Sequence, residues 1–106
     1  MNEETRLRIE DRIVAMLKTV YDPEIPVDVY NLGLIYNIDL QDDGNVVIDM
    51  TLTSPGCPMS DFLLEDIRQK IDSIDGVVNT DVNLVFEPEW TSDKMSEEAK
   101  LELGFL

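Results

Sequence analysis

The sequence has no histidine and a single cysteine, Cys57. Losing histidine removes the commonest general base near neutral pH and the commonest zinc ligand. Neither a Ser-His-Asp triad nor a Cys-His pair can be built from this chain. One cysteine cannot form an intramolecular disulfide, which fits a reducing cytoplasm. Basic residues are also scarce, 8 against 23 acidic ones, for a formal net charge of -15. Phosphate recognition needs clustered lysine and arginine, so nucleic acid is excluded as a partner and anionic membranes are disfavoured. No Gly-rich phosphate loop is present. No apolar run reaches membrane-spanning length and no signal peptide is visible.

What remains is an ordinary globular mixture, 43% hydrophobic and 29% charged over 106 residues. That length predicts one domain, 1–106, with a single core. Residues 3 to about 20 read as an amphipathic helix, with Ile9, Ile13, Met16, Leu17 and Val20 at helical spacing. Asp22-Pro23 is its expected stop, because the residue before proline avoids the helical region. Residues 22–33 then read as an extended, stiff connection carrying Asp22, Glu24 and Asp28. Turn capping accounts for Asp22 without a functional role, and a solvated surface accounts for the other two.

Two alternating stretches follow, 34–40 and 46–53, joined by Gln41-Asp42-Asp43-Gly44-Asn45 with its Asp-Gly turn signal. Pairing Leu40 with Val46 would set Leu34 opposite Leu52 and place all the apolar residues on one face. A second helix is expected over about 58–75, with Leu63, Leu64, Ile67, Ile71 and Ile74 as its buried stripe and Gly76 as its left-handed terminator. Residues 77–86 read as a third strand, with Val78, Val82, Leu84 and Phe86 on one face. A strand-helix-strand unit favours parallel strands. The expected fold is therefore two-layer α+β, in the order α-β-β-α-β(-α), its three-stranded mixed sheet covered on one face by two helices. Residues 87–106 form a C-terminal loop plus a short helix capped by Ser96 and ended by Gly104.

The chemistry concentrates in Thr51-Leu52-Thr53-Ser54-Pro55-Gly56-Cys57-Pro58-Met59-Ser60. Pro55 and Gly56 make a turn, and Pro58 suits the first helical position. Cys57 then sits at a helix N-terminus, whose unpaired N–H groups and dipole favour a thiolate. The alternative is a small buried residue in a tight turn. In the expected topology the loop at 22–33, the Cys57 turn and Glu87-Pro88-Glu89-Trp90 converge on one rim of the sheet. That rim would gather Cys57, the carboxylates of Asp22, Glu24 and Glu87, Thr51 or Thr53, Ser54, Gly56 and Trp90. Packing the tail onto the domain is the simpler reading of Trp90.

These stretches resemble the SufT/PaaD-like family of iron–sulfur (metal–sulfur) cluster assembly proteins. The matching pieces are Asp22-Pro23-Glu24-Ile25-Pro26-Val27 with Leu32-Gly33-Leu34-Ile35-Tyr36, then Thr51 through Pro58, then Glu87-Pro88-Glu89-Trp90-Thr91 with Met95-Ser96. The resemblance covers essentially the whole chain. It implies a cytoplasmic accessory factor in iron–sulfur protein maturation rather than an enzyme. Cys57 would be the reactive residue, and Asp22 and Glu24 would belong to the same site region. Assembly machinery and apo client proteins would be the partners. Family members often have two prolines before the tryptophan, where this chain has Pro88-Glu89. The PaaD branch carries a further cysteine-rich segment not seen here, so the SufT-like branch fits better.

Clusters are held by several thiolates, so one cysteine per chain cannot hold one alone. A homodimer could offer two. The expected cargo is a transient or shared iron–sulfur cluster or iron, with no permanent cofactor and Cys57 as the metal ligand. Two other readings compete: a small thiol enzyme, which lacks a histidine partner and a resolving cysteine, and an acidic interaction module with a structural cysteine.

Overall fold

A computed structural model describes residues 1–54 and 60–105. The elements are α1 (Glu3–Leu17), β1 (Ile35–Leu40), β2 (Asn45–Met50), α2 (Ser60–Asp72), β3 (Asn79–Leu84), a 3-10 turn at Ser92–Lys94, and α3 (Glu97–Glu102). The expectations that Pro55 and Gly56 turn the chain and that Pro58 opens the second helix lie outside the described residues.

Helix α1 starts where Asn2 accepts a hydrogen bond from the Thr5 N–H at 2.8 Å, with Glu3 and Glu4 in its positive first turn. It ends at Leu17, well before Pro23. The reason is a competing pairing. Val20 accepts from the Val29 N–H at 2.8 Å, and Tyr21 bridges Asp28 in antiparallel fashion. Residues 22–28 therefore form a closed loop rather than the extended connection expected from two prolines. Its neck buries Val20, Val27 and Val29.

The sheet has the order β1-β2-β3, with β1 antiparallel and β3 parallel to β2. This is the expected mixed α+β topology. Leu40 does pair with Val46, and Ile38 with Ile48. An irregularity between Ile35 and Asn37 then shifts the register, so that Ile35 faces Met50 and the Thr51 N–H donates to the Leu34 carbonyl at 2.8 Å. Leu34 is thus not opposite Leu52. An extra residue in one strand bends it locally and re-aims a side chain. Here the residue released from the ladder is Tyr36.

The stripes of α1 and α2 and the inner row of the sheet form one core. Ile9, Ile13 and Leu17 meet Leu63, Ile67 and Ile71 over Leu40, Val46, Ile48 and Met50. Full burial of each such side chain contributes about 1.5–3 kcal/mol. The expected inner row of β3 is only half right. Val82 and Leu84 pack on the core, but Val78 and Phe86 lie beyond the ends of the strand and are exposed. Thr80 fills the position between, 1% exposed, its hydroxyl 3.4 Å from the Asp72 carboxylate. The outer face carries Asn37, Asp39, Asp49, Asp81 and Asn83, and no described element covers it.

The tail returns across the domain. Met95 and Ala99 enter the core, and α3 is capped by Ser96, which accepts from the Ala99 N–H at 3.1 Å. Gly104 follows at φ +83, the left-handed stop expected there. The return passes so close to Gly33 that a Cβ there would lie 2.8 Å from the Lys94 carbonyl carbon. Gly33 also has φ +79, a conformation that disfavours any side chain.

Candidate functional site

A cleft of about 470 Å³ opens where β2 ends and the tail begins, lined by Thr51, Leu52, Thr53, Phe86, Glu87, Pro88, Glu89 and Trp90. Its position follows from topology. Parallel β2 and β3 finish at the same edge, and the ladder runs on through the Val85 N–H, which donates to the Met50 carbonyl at 2.8 Å. The chain leaving β3 then turns back across the end of β2.

Four hydrogen bonds hold the segments behind the cleft. The Trp90 indole N–H donates to the Leu32 carbonyl at 2.7 Å. The Tyr36 hydroxyl donates to the Pro88 carbonyl at 2.7 Å. The Ser96 N–H donates to the Asn31 carbonyl at 2.8 Å, and its hydroxyl meets the Asn31 side-chain oxygen at 2.9 Å. Each joins segments far apart in sequence, and each contributes about 1 kcal/mol net. Partial burial pushes the Tyr36 phenol up from its ordinary value, while the Thr51 hydroxyl beside it pulls the other way. The Lys94 ammonium lies over the Tyr36 ring, 5.3 Å from its centre. The bulge in β1 thus brings the Tyr36 hydroxyl to the Pro88 backbone, behind the cleft lining.

Thr51, Thr53, Glu87 and Trp90, all expected at this rim, line the one cleft. Trp90 packs partly against the core and holds the tail as expected, and it also lines the cleft. Thr51 is 1% exposed, so its role there is to shape the floor. Glu89 adds a second carboxylate beside Glu87.

The acidic loop behaves differently. Asp22 is buried and spends its carboxylate on its own turn, accepting from the N–H groups of Glu24 and Ile25, both at 2.9 Å. Asp28 does the same for Asn31, taking its backbone and side-chain N–H groups at 2.9 and 2.8 Å. Glu24 is exposed. Neither Asp22 nor Glu24 lines the cleft; their loop lies instead by the first turns of α2, where Tyr21 and Pro23 share a depression with Phe62, Leu63 and Asp66. Ser54 is described and half-buried, whereas Gly56 and Cys57 lie outside the described residues. The two stretches that flank them, Thr51–Ser54 and the start of α2, adjoin the cleft and the acidic loop respectively.

Tyr36, Asn31 and Lys94, which lie outside the cleft lining and brace the tail, are the supporting residues that the sequence pattern did not reveal. A signal for the first was present: Tyr36 closes the Leu32-Gly33-Leu34-Ile35-Tyr36 piece, and an aromatic there has no need to be core. The cleft offers carboxylates, suited to hard cations such as magnesium or manganese(II), and hydroxyl and indole groups. Among the described residues no three acidic or thiol side chains stand close enough to hold a metal ion, so these carboxylates alone do not make a metal centre. None of the described helices is long and apolar enough to cross a membrane.

Comparison with known proteins agrees with this layout. The family described as iron–sulfur cluster assembly protein matches residues 10–84. A Porphyromonas gingivalis protein named Fe-S protein maturation auxiliary factor is 60% identical over 106 residues, spanning 100% of both chains. The Staphylococcus aureus Fe-S protein maturation auxiliary factor SufT is 44% identical over 85 residues, 80% of this chain and 97% of its own. The crystal structure of a domain of unknown function from Bacillus anthracis superposes with a TM-score of 0.88 at 37% identity, covering 99% of this chain and 100% of that one. With the fold, the motif pieces and a full-length relative in agreement, the chain belongs to the iron–sulfur cluster assembly protein family.

Proposed function

We propose that this protein is an accessory factor in iron–sulfur cluster assembly and in the maturation of iron–sulfur proteins, working through Cys57. The observation that carries this reading is the full-length match to a protein named as a maturation auxiliary factor. Cys57 acts as a thiolate ligand or as the contact to a client. Its cargo is iron or an iron–sulfur cluster, held transiently and completed by thiolates from elsewhere, since this chain has only one. The partners are the assembly machinery and apo client proteins, and the compartment is the reducing cytoplasm. Thr51, Thr53, Glu87 and Trp90 form the wall against which the cargo or the client segment is received. Asp22 acts by setting the shape of its loop. No proton-shuttling pair accompanies the thiol in this histidine-free chain, which favours handing over cargo above catalysing a reaction.

The test is anaerobic reconstitution of an apo client in the presence of the wild-type protein or Cys57→Ala. Wild type should raise the yield or rate of holo-client and Cys57→Ala should not. Full activity of Cys57→Ala, at unchanged folding, would remove the thiol from the mechanism.

A further inference from the structure

Away from the cleft, two exposed aromatic residues share one depression. Tyr21, at the neck of the 22–28 loop, is 61% exposed, and Phe62, in the first turn of α2, is 68% exposed. With Pro23, Leu63 and Asp66 they line a shallow depression of about 120 Å³. Two large aromatic groups from separate elements thus line one depression, with apolar surface left open to solvent. The backbone beneath them is firm. Tyr21 is bridged to Asp28, Asp22 closes the turn after it, and Leu63 is anchored in the core.

Carboxylates predominate around the patch, and the one in its lining, Asp66, is paired with Lys70. Glu24 and Asp61, both exposed, adjoin Pro23 and Phe62, and neither has an ion-pair partner among the described residues. Between Lys18 and Arg68 the sequence has no lysine or arginine at all. The nearest cations along α2, Arg68 and Lys70, are already taken by Glu65 and Asp66 at 2.7 and 3.2 Å. This composition selects the occupant. A second copy of the chain, itself at -15, would set carboxylates against carboxylates across the patch, and like charges in a contact are strongly disfavoured. An anionic lipid surface fails for the same reason.

We propose that the Tyr21–Phe62 depression is a docking site for a protein segment that presents an aliphatic or aromatic anchor flanked by lysine or arginine. The anchor enters between the two rings, and the flanking cations meet Glu24 and Asp61. The proposal goes beyond the function assigned to Cys57 and stands without it, because the surface lies on described residues and needs no thiol.

The test uses fluorescein-labelled peptides and the intact protein, read by anisotropy. One peptide carries a leucine pair between lysine pairs, a second replaces the lysines by glutamates, and a third replaces the leucines by serines. The first should bind, weakening as salt is raised, and the other two should bind at least tenfold more weakly. Phe62→Ala should weaken the first peptide about tenfold. This residue is exposed, so the thermal midpoint should stay put, and amide shifts in a 15N spectrum should centre on Tyr21 and Phe62. Equal binding of all three peptides, shifts centred elsewhere, or indifference to Phe62→Ala would overturn the proposal. So would a concentration-dependent dimer dissociated by Phe62→Ala, which would make a second copy the occupant. None of these readouts involves client maturation, so the proposal and the role of Cys57 can fail separately.

Discussion

Replacing Gly33 by alanine should loosen the tail from the domain. Two penalties add at this position. At φ +79 a side chain costs about 1–2 kcal/mol. The new Cβ would also lie 2.8 Å from the Lys94 carbonyl carbon, and both sides of that contact are backbone, which cannot rotate away. The tail must retreat by roughly 1 Å to restore ordinary van der Waals separation. A retreat strains the bonds from Trp90 to Leu32 and from Ser96 to Asn31, 2.7 and 2.8 Å long, each contributing about 1 kcal/mol. The expected total is roughly 3 kcal/mol, a drop in Tm on the order of 10–20 °C. Gly104→Ala is the matched control, since Gly104 has a similar φ of +83 but nothing within 4 Å of its would-be Cβ. It should lose only the conformational part, about 1–2 kcal/mol. Urea unfolding measures both, and Trp90, the sole tryptophan, reports the tail directly through its emission and its quenching by acrylamide. Equal losses in the two variants, with Trp90 emission unchanged in Gly33→Ala, would refute the account of the close approach.

Asp22→Ala should lower stability by about 1–3 kcal/mol, since it strands the N–H groups of Glu24 and Ile25, whereas exposed Glu24→Gln should change it by under about 0.5 kcal/mol; chemical denaturation checks both. The Arg68 guanidinium holds the Glu65 carboxyl down to about 2. Its pKa is lower folded than unfolded, so the pair's contribution is present above about 4.5, the unperturbed value, and is lost as pH falls toward 2. A carboxyl 13C titration should place the Glu65 midpoint near 2, and Arg68→Gln should return it toward the ordinary range; an ordinary midpoint in the wild type would show that the pair does not persist in solution.

The parts of this molecule that repeat were readable in its sequence. The stripes of α1 and α2 recur every three or four residues and can face only one way. The hairpin register was readable as far as Ile38, because alternation and the Asp-Gly turn agreed. It failed at Tyr36 because Ile35 and Tyr36 are both apolar, so a pattern cannot tell which of the two leaves the ladder. Val78 and Phe86 misled for a related reason: they have the right parity but lie past the point where β2 offers a partner. Thr80 was overlooked because its buried hydroxyl is matched by Asp72, a residue in another element. The convergence of Thr51, Thr53, Glu87 and Trp90 was legible because strand direction alone dictates it. The bonds that close the cleft, from Trp90, Tyr36 and Ser96 to distant backbone, leave no local trace. Asp22 was legible as a turn-capping residue, its side chain lying within reach of its own loop.

The bonds between Leu32 and Trp90 and between Asn31 and Ser96 span sequence separations of 58 and 65 residues. During synthesis, the sheet and both long helices can assemble before the partners of Leu32 and Asn31 have left the ribosome. The wall of the cleft is therefore the last part of the domain to be completed. A chain ending short of Trp90 would keep the sheet and both long helices, but its core would lack Met95 and Ala99 and its rim would stand open. The cleft would take its shape only once the segment from Trp90 onward had emerged and folded back.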